Sequence, residues 1–296
     1  MRRKLNDFQI EEIQEDQYLQ EEMGSKPKFW FNRSESEDEL WLFKYHREGR
    51  GEHWAEKVAS EVAELLNIPH AIVELAVFRQ TKGTATKSFT DRYHELIHGN
   101  QLLSFIFNEY EPEKVQKQSD HTLFNIWSVL EAVFEQEKSE SAKQTFCEYI
   151  TLDAFIGNTD RHHENWGVLM DFHMVSKSVA PSYDHASSLG REINDDRRIR
   201  LLEEDRVGRY SEKGRSPIYR SSEDTRGLSP LGVVRTAFNE SPGSFSAVLQ
   251  RLDQLDESSL EEIVNRIPDD WMSIHAREFA MGLMLYNREK LLEIDS

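Results

Sequence analysis

The sequence predicts an α+β fold, with a β-rich front and a mostly helical back. Short alternating runs of apolar and aromatic residues dominate before Asn100. Longer runs of helical period follow it. Hydrophobic residues make up 38% of the 296 positions, with 6 Trp, 9 Tyr and 16 Phe, enough for a sizeable core. The change of character falls near residues 95–105.

The elements read in order as follows. Residues 1–23 are polar and acidic and read as a peripheral helix or a loose arm. K-F-W-F-N (28–32) and E-L-W-L-F-K-Y (39–45) read as two strands joined across the polar N-R-S-E-S-E-D connection. Residues 52–66 place Trp54, Val58, Val62 and Leu65 at helical spacing, and the following N-I-P ends that helix. Strands are expected at 71–79 and 84–90. Residues 121–136 and 141–156 read as helices. W-G-V-L-M-D (166–171) and K-S-V-A-P-S-Y-D (177–184) suggest a hairpin. The charged stretch 191–228 reads as a long exposed loop with short helical pieces. Helices close the chain around 244–254, 257–266 and 271–293. The organisation is thus an acidic arm at 1–23, a front lobe at 24–100 and a back lobe at 101–296.

The net charge of −18 repels polyanions, so nucleic acid and anionic membranes fit poorly as partners. It favours a basic patch on a substrate without locating a docking face. One cysteine, Cys147, excludes an internal disulfide and a four-cysteine zinc site, and its apolar setting predicts a buried thiol. The first residues, M-R-R-K-L-N-D-F, lack an apolar leader, and no run reaches the length of a membrane span. A cytoplasmic protein is the expectation.

The densest chemistry lies in G-N-T-D-R-H-H-E-N-W-G (157–167). Adjacent His162 and His163 lack the helical i, i+4 spacing of a zinc pair. Taken alone, Asp160 and Asn165 fit a capped turn with Asp160 salt-bridged to Arg161. Phosphoryl transfer fits the wider pattern better. It needs an anionic group at the acceptor hydroxyl, oxygen ligands for Mg²⁺, and a lysine on the phosphates of ATP. Asp160 and Asn165 stand in the D-x-x-x-x-N spacing of a kinase catalytic loop. Asp184 follows as a second acid after the hairpin. Lys44 sits on an apolar strand in the front half, and the next helix offers Glu56 or Glu61 to hold it.

G-N-T-D-R-H-x-x-N-W-G followed by Y-D-x-x-S-S-L resembles the HipA-like serine/threonine kinases, and its D-R-H-x-x-N core is similar to that of phosphatidylinositol kinases. L-F-K-Y, G-E-H-W-A-E-K-V-A-S-E-V-A-E-L-L-N-I-P, K-S-F, E-L-I-H-G-N and D-D-W-M-S extend the resemblance over roughly residues 24–293. It implies a two-lobed protein-kinase-like fold with a β-rich N-lobe, a mostly helical C-lobe, and ATP and Mg between them. Asp160 is then the catalytic base, Asn165 and Asp184 the metal ligands, and Lys44 the contact to the α- and β-phosphates. Glu56 becomes the partner of Lys44, with Glu61 as the alternative. Gly24, Ser25 and Lys26 fall in the phosphate-covering turn, and Ser88 and Phe89 near the adenine. Arg161 and His162 fall to supporting the loop.

The chain has no G-x-G-x-x-G, and its metal acid stands in Y-D-H rather than D-F-G, which sets it apart from eukaryotic-type protein kinases. Residues 1–23 are too few for the extra N-terminal subdomain of full-length HipA, which argues against family-type antitoxin docking unless a separately encoded partner supplies the missing part. The resemblance further implies a protein substrate, a toxin–antitoxin role, and autophosphorylation, with Ser25, Ser34 and Ser36 as candidates. Alternatives are a phosphotransferase acting on a small molecule or lipid headgroup, and a nucleotide-binding module without turnover.

Overall fold

The computed structural model describes residues 6–14, 18–21, 27–33, 39–174 and 176–295. Gly24, Ser25, Lys26, Ser34 and Ser36 lie outside the described residues.

The front of the chain forms a six-stranded sheet backed by one helix. Its strands are β1 (Ile10–Glu12), β2 (Tyr18–Glu21), β3 (Lys28–Asn32), β4 (Leu40–Tyr45), β5 (Val73–Phe78) and β6 (Thr81–Lys87), with helix α1 (Glu52–Leu65) between β4 and β5. The strand order is β1-β5-β6-β4-β3-β2, antiparallel except for the parallel edge pair β1–β5. Period-two alternation sends Phe29, Phe31, Trp41 and Phe43 to one face, where they pack with Phe78 and Ile13. The Phe29 and Phe43 rings meet at 5.1 Å, and Phe29 and Phe78 at 4.7 Å. Lys44, next to Phe43, therefore points to the opposite face, the one that α1 covers. Leu75 on that face shares a core with Trp54, Val58 and Val62 of α1.

The second part begins with β7 (His94–His98) and α2 (Gly99–Ile106). Strand β7 pairs with β8 (Gly167–Asp171), which pairs in turn with β9 (Ser176–Val179). Helix α4 (Gln136–Ile156) runs through the centre. It packs on α3 (Leu123–Val133), α7 (Pro230–Glu240) and α10 (Ile274–Leu292). Helices α5 (Asp195–Glu203), α6 (Val207–Lys213), α8 (Ser246–Asp253) and α9 (Glu257–Asn265) complete the layer. No helix among the described residues is long and apolar enough to cross a membrane.

Two expectations are corrected. Where a helix or a loose arm was expected, the described segments Ile10–Glu12 and Tyr18–Glu21 are edge strands. Phe8 and Ile13 are buried, Phe8 in the main core and Ile13 in the aromatic one, which holds the segment down. Strands of three and four residues are too short to leave a periodicity to read. The short helical pieces expected in the charged stretch 191–228 are α5, of nine residues, and α6, of seven. The second strand of the hairpin stops at Val179, so Asp184 stands beyond it in a loop.

Candidate active site

Helix α4 ends at Gly157, whose φ of +67° is the left-handed conformation that stops a helix. Asn158 then folds back: its backbone N–H donates to the Asp153 carbonyl (2.7 Å) and its Nδ2 to Asp153 Oδ1 (2.8 Å). Asn158 Oδ1 in turn accepts the Asp160 N–H at 3.1 Å. Asn165 Nδ2 donates to the Asp160 carbonyl at 2.6 Å, which turns its Oδ1 away as the acceptor of that amide. Asp160 and Asn165 are thus brought together by backbone and amide bonds.

Arg161 does not pair with Asp160. It is 1% exposed and donates to both Asp153 oxygens, from Nε at 2.7 Å and from Nη2 at 2.8 Å. Its remaining N–H groups reach the Asn165 carbonyl (2.6 Å), the Tyr183 carbonyl (3.4 Å) and Ser182 Oγ (2.9 Å). One buried guanidinium therefore ties α4, the Asp160 loop and the Asp184 loop together. Asp153 and the Tyr183 and Tyr149 hydroxyls outweigh its desolvation and hold its pKa above the ordinary range.

Asp184 adopts φ +59°, a strained setting for a non-glycine residue. Its Oδ2 lies 3.2 Å from Lys44 Nζ. Burial works to lower the Lys44 pKa, but Asp184 and Glu56 outweigh it, so the ammonium stays charged with a raised pKa. Glu56 is 3% exposed and accepts the His185 backbone N–H at 2.8 Å. Burial pushes its carboxyl up, yet hydrogen bonding from His185 and the charge of Lys44 bring the net pKa below the ordinary value. Glu61 faces elsewhere and pairs with Lys57 at 2.7 Å. Of the two candidate helix acids, Glu56 is the one beside Lys44 and Asp184.

Ser88 and Phe89 follow β6 and link the front sheet to β7. Ser88 N–H donates to the Leu40 carbonyl, and its hydroxyl to the Thr90 carbonyl. The Phe89 ring lies 5.5 Å from that of Tyr183, whose hydroxyl donates to the Glu164 carbonyl at 2.7 Å. The linker is thereby joined to both loops.

His162 and His163 diverge, with ring planes at 78°. His163 is buried against the Tyr110 hydroxyl at 2.7 Å, and burial with the nearby His162 lowers its pKa to about 4. His162 lines a cavity of about 890 Å³ that contains Asp160, Ser187 and Arg191. So Arg161 and His163 are the interior supports, and His162 faces the open side.

Sequence reasoning missed several parts of this site. Ser187 Oγ donates to Asp160 Oδ2 (3.2 Å), and Arg191 Nη2 donates to Ser187 Oγ (3.0 Å). Arg191 also pairs with the fully buried Glu52 at 3.0 Å. Ser182 Oγ meets His185 Nε2 at 2.7 Å. One signal was available: Asp153 is a lone acid in the apolar run Y-I-T-L-D-A-F-I, and such an acid requires a buried cation nearby.

The profile of the HipA-like C-terminal domain matches residues 22–271. The chain belongs to this family. The serine/threonine-protein kinase CtkA of Helicobacter pylori strain J99 is 28% identical over 144 residues, 48% of this chain and 42% of that protein. The aligned stretch is thus less than half of that relative's length. The crystal structure of the proinflammatory kinase CtkA from H. pylori superposes with a TM-score of 0.75 at 18% identity, covering 93% of this chain and 92% of that one. HipA of Shewanella oneidensis MR-1, solved with HipB and operator DNA, gives a TM-score of 0.61 at 12% identity, over 95% and 68%. The fold of this HipA-like chain is therefore the α+β kinase-like fold of these two structures.

Proposed function

We propose that the chain is an ATP- and Mg-dependent serine/threonine protein kinase of HipA type. One observation carries this reading: the Lys44–Asp184 pair at 3.2 Å and the Asp160–Asn165 loop are held together by the single Arg161 clamp. Lys44 is the cation for the α- and β-phosphate oxygens of ATP. The donor set fits a hard divalent ion: a carboxylate at Asp184 and an amide oxygen at Asn165 whose orientation is fixed by its own N–H bond. Mg²⁺, when bound there, supplies neutralisation of charge on the phosphate oxygens.

Asp160 orients the acceptor hydroxyl and takes its proton as the hydroxyl oxygen bonds the γ-phosphorus and ADP departs. Ser187 steadies the Asp160 carboxylate by donating to its Oδ2. Glu56 keeps Lys44 charged and in place. Ser88 and Phe89 serve the adenine side, and the resemblance alone assigns the phosphate-covering turn to Gly24, Ser25 and Lys26.

On this reading residues 24–100 act as N-lobe and 101–296 as C-lobe, a protein is the substrate, and the cytoplasm is the site of action. An antitoxin-type or accessory protein is the expected partner, and autophosphorylation falls on Ser25, Ser34 or Ser36. Incubation with γ-labelled ATP, Mg²⁺ and a cell lysate tests the reading. Label on the chain or on a lysate protein, absent with Asp160→Ala, is the expected result. Label only on small molecules or lipid would replace it with the other phosphotransferase reading.

A further inference from the structure

A second cavity, of about 640 Å³, adjoins the one that holds Asp160. Helices α5 and α6 wall it on one side, and Thr159 of the catalytic loop and Leu283 of α10 on the other. Six cationic side chains line it: Arg191, Arg197, Arg206, Arg209, Lys213 and Arg215. The one acid in the lining, Glu192, accepts a hydrogen bond from the Tyr210 hydroxyl.

In a chain of net charge −18 this concentration is unexpected. Arg191 pairs with Glu52 and Arg206 with Glu204. Arg197, Arg209, Lys213 and Arg215 form no ion pair with a carboxylate among the described residues. Arg215 donates instead to the Glu212 and Gly214 carbonyls, which leaves its charge uncompensated. Uncompensated like charges gathered around one concavity repel one another, and a bound anion relieves that repulsion.

Ser187, Arg191 and Arg215 line both cavities, and Ser187 donates to the Asp160 carboxylate. An anion in the basic cavity therefore lies next to the acceptor position. We propose that this cavity binds carboxylate or phosphate groups flanking the acceptor hydroxyl, so that the substrate class is serine or threonine in an acidic sequence. This rests on the kinase reading above. It reverses the expectation of a basic substrate drawn from net charge alone, because screening over about 8 Å lets a local cluster outweigh a distributed field.

The test uses three peptides around one serine, flanked on both sides by glutamate, by lysine, or by phosphoserine. Wild type is compared with Arg209→Ala/Lys213→Ala and Arg209→Glu/Lys213→Glu, each checked for an unchanged thermal melt. Expected for wild type is a preference for the anionic peptides. The alanine pair should raise KM for those peptides about tenfold or more with kcat little changed, and leave the lysine peptide unaffected. The glutamate pair should invert the preference. Tighter use of the phosphoserine peptide, or equal use of it and the glutamate peptide, supports the cavity and names its preferred anion. Equal use of all three peptides by wild type, or equal effects of the variants on all three, would overturn the proposal. Single-stranded RNA that competes with the glutamate peptide, and loses hold in the same variants, would also overturn it by assigning the cavity to nucleic acid. Anisotropy of a fluorescent glutamate peptide on the Asp160→Ala protein separates the two readings. Binding that is lost in Arg209→Glu/Lys213→Glu supports the cavity even if no peptide is ever labelled, whereas no binding refutes the cavity while leaving kinase activity to the transfer assay.

Discussion

Replacing Arg161 with alanine should be the most damaging single change outside the reacting groups. Its five side-chain hydrogen bonds run to Asp153, Asn165, Tyr183 and Ser182. Asp153 is 4% exposed and would be left as a buried carboxylate with only Asn158 Nδ2 donating to it from a side chain. Breaking a buried ion pair on one side costs about 3–5 kcal/mol, because the surviving charge loses its partner and not its burial. That is a large share of the roughly 5–15 kcal/mol that holds a typical domain together. Arg161→Lys keeps the charge but not the fork, so it should lose less. Asp153→Ala/Arg161→Ala removes both charges and should cost less than the two single changes added together, by about 1–3 kcal/mol. Urea denaturation followed by circular dichroism measures wild type, the three single variants including Asp153→Ala, and the double variant, with shifts in midpoint read at constant slope. Phosphoryl transfer should fall by about a hundredfold or more in Arg161→Ala where the protein remains folded, since misplacement by about 1 Å is enough. Arg161→Ala within about 1 kcal/mol of wild type, with normal turnover, would refute the clamp.

Glu56→Gln should weaken transfer by roughly tenfold to a hundredfold while leaving the fold intact, and Lys44→Met should lose more; steady-state kinetics checks the order. A Glu61→Gln change should do neither, because Glu61 serves Lys57. Acid should destabilise the protein through buried imidazoles. Burial lowers the pKa of His53 and His121 to about 3 and of His163 to about 4, all below the ordinary 6.5. The unfolded chain then binds protons that the folded chain refuses, so stability is full above pH 6.5 and falls as pH drops from 6.5 toward 4 and 3. At pH 5 the loss is roughly 2 kcal/mol for each of the three, and melting temperatures measured from pH 7.5 to 5 should drop steeply. Cys147 is 1% exposed, and burial pushes its thiol up to about 12. Iodoacetamide should leave it unmodified in the native state and modify it on unfolding, as mass spectrometry would show.

What could be read from the chain depended on where each residue's partners lie. Strands β3 and β4 and helix α1 have their determinants inside themselves: alternating Phe29, Phe31, Trp41 and Phe43, and helically spaced Trp54, Val58 and Val62. They were legible almost to the residue. The series Lys44, Glu56, Asp160, Asn165, Asp184 could be picked out because chemistry fixes residue type and rough spacing, and the structure sets Lys44 beside Asp184 and ties Asn165 to the Asp160 backbone. Strands β1 and β2 were not legible: β1 takes its hydrogen bonds from β5, far along the chain, and β2 is only the four residues Y-L-Q-E, too short to show an alternation. Asp184 was expected at a strand end, but its position is set by a left-handed turn and by Arg161 and His185, none of which marks the local sequence. The supporting shell was illegible for the same reason. Glu52 sits in a polar run that looks solvated, yet it is fully buried against Arg191, with a separation of 139 positions.

The most direct measurement titrates Mg-ATP by calorimetry into wild type, Asp160→Ala and Asp184→Ala, with γ-phosphate transfer recorded on the same samples. On the proposed reading the two acids do different work. Asp160→Ala should bind Mg-ATP within about threefold of wild type and transfer nothing measurable. Asp184→Ala should lose the Mg²⁺-dependent part of binding and transfer together. Transfer retained in either variant, or Mg-ATP binding unchanged in Asp184→Ala, would contradict the site as built.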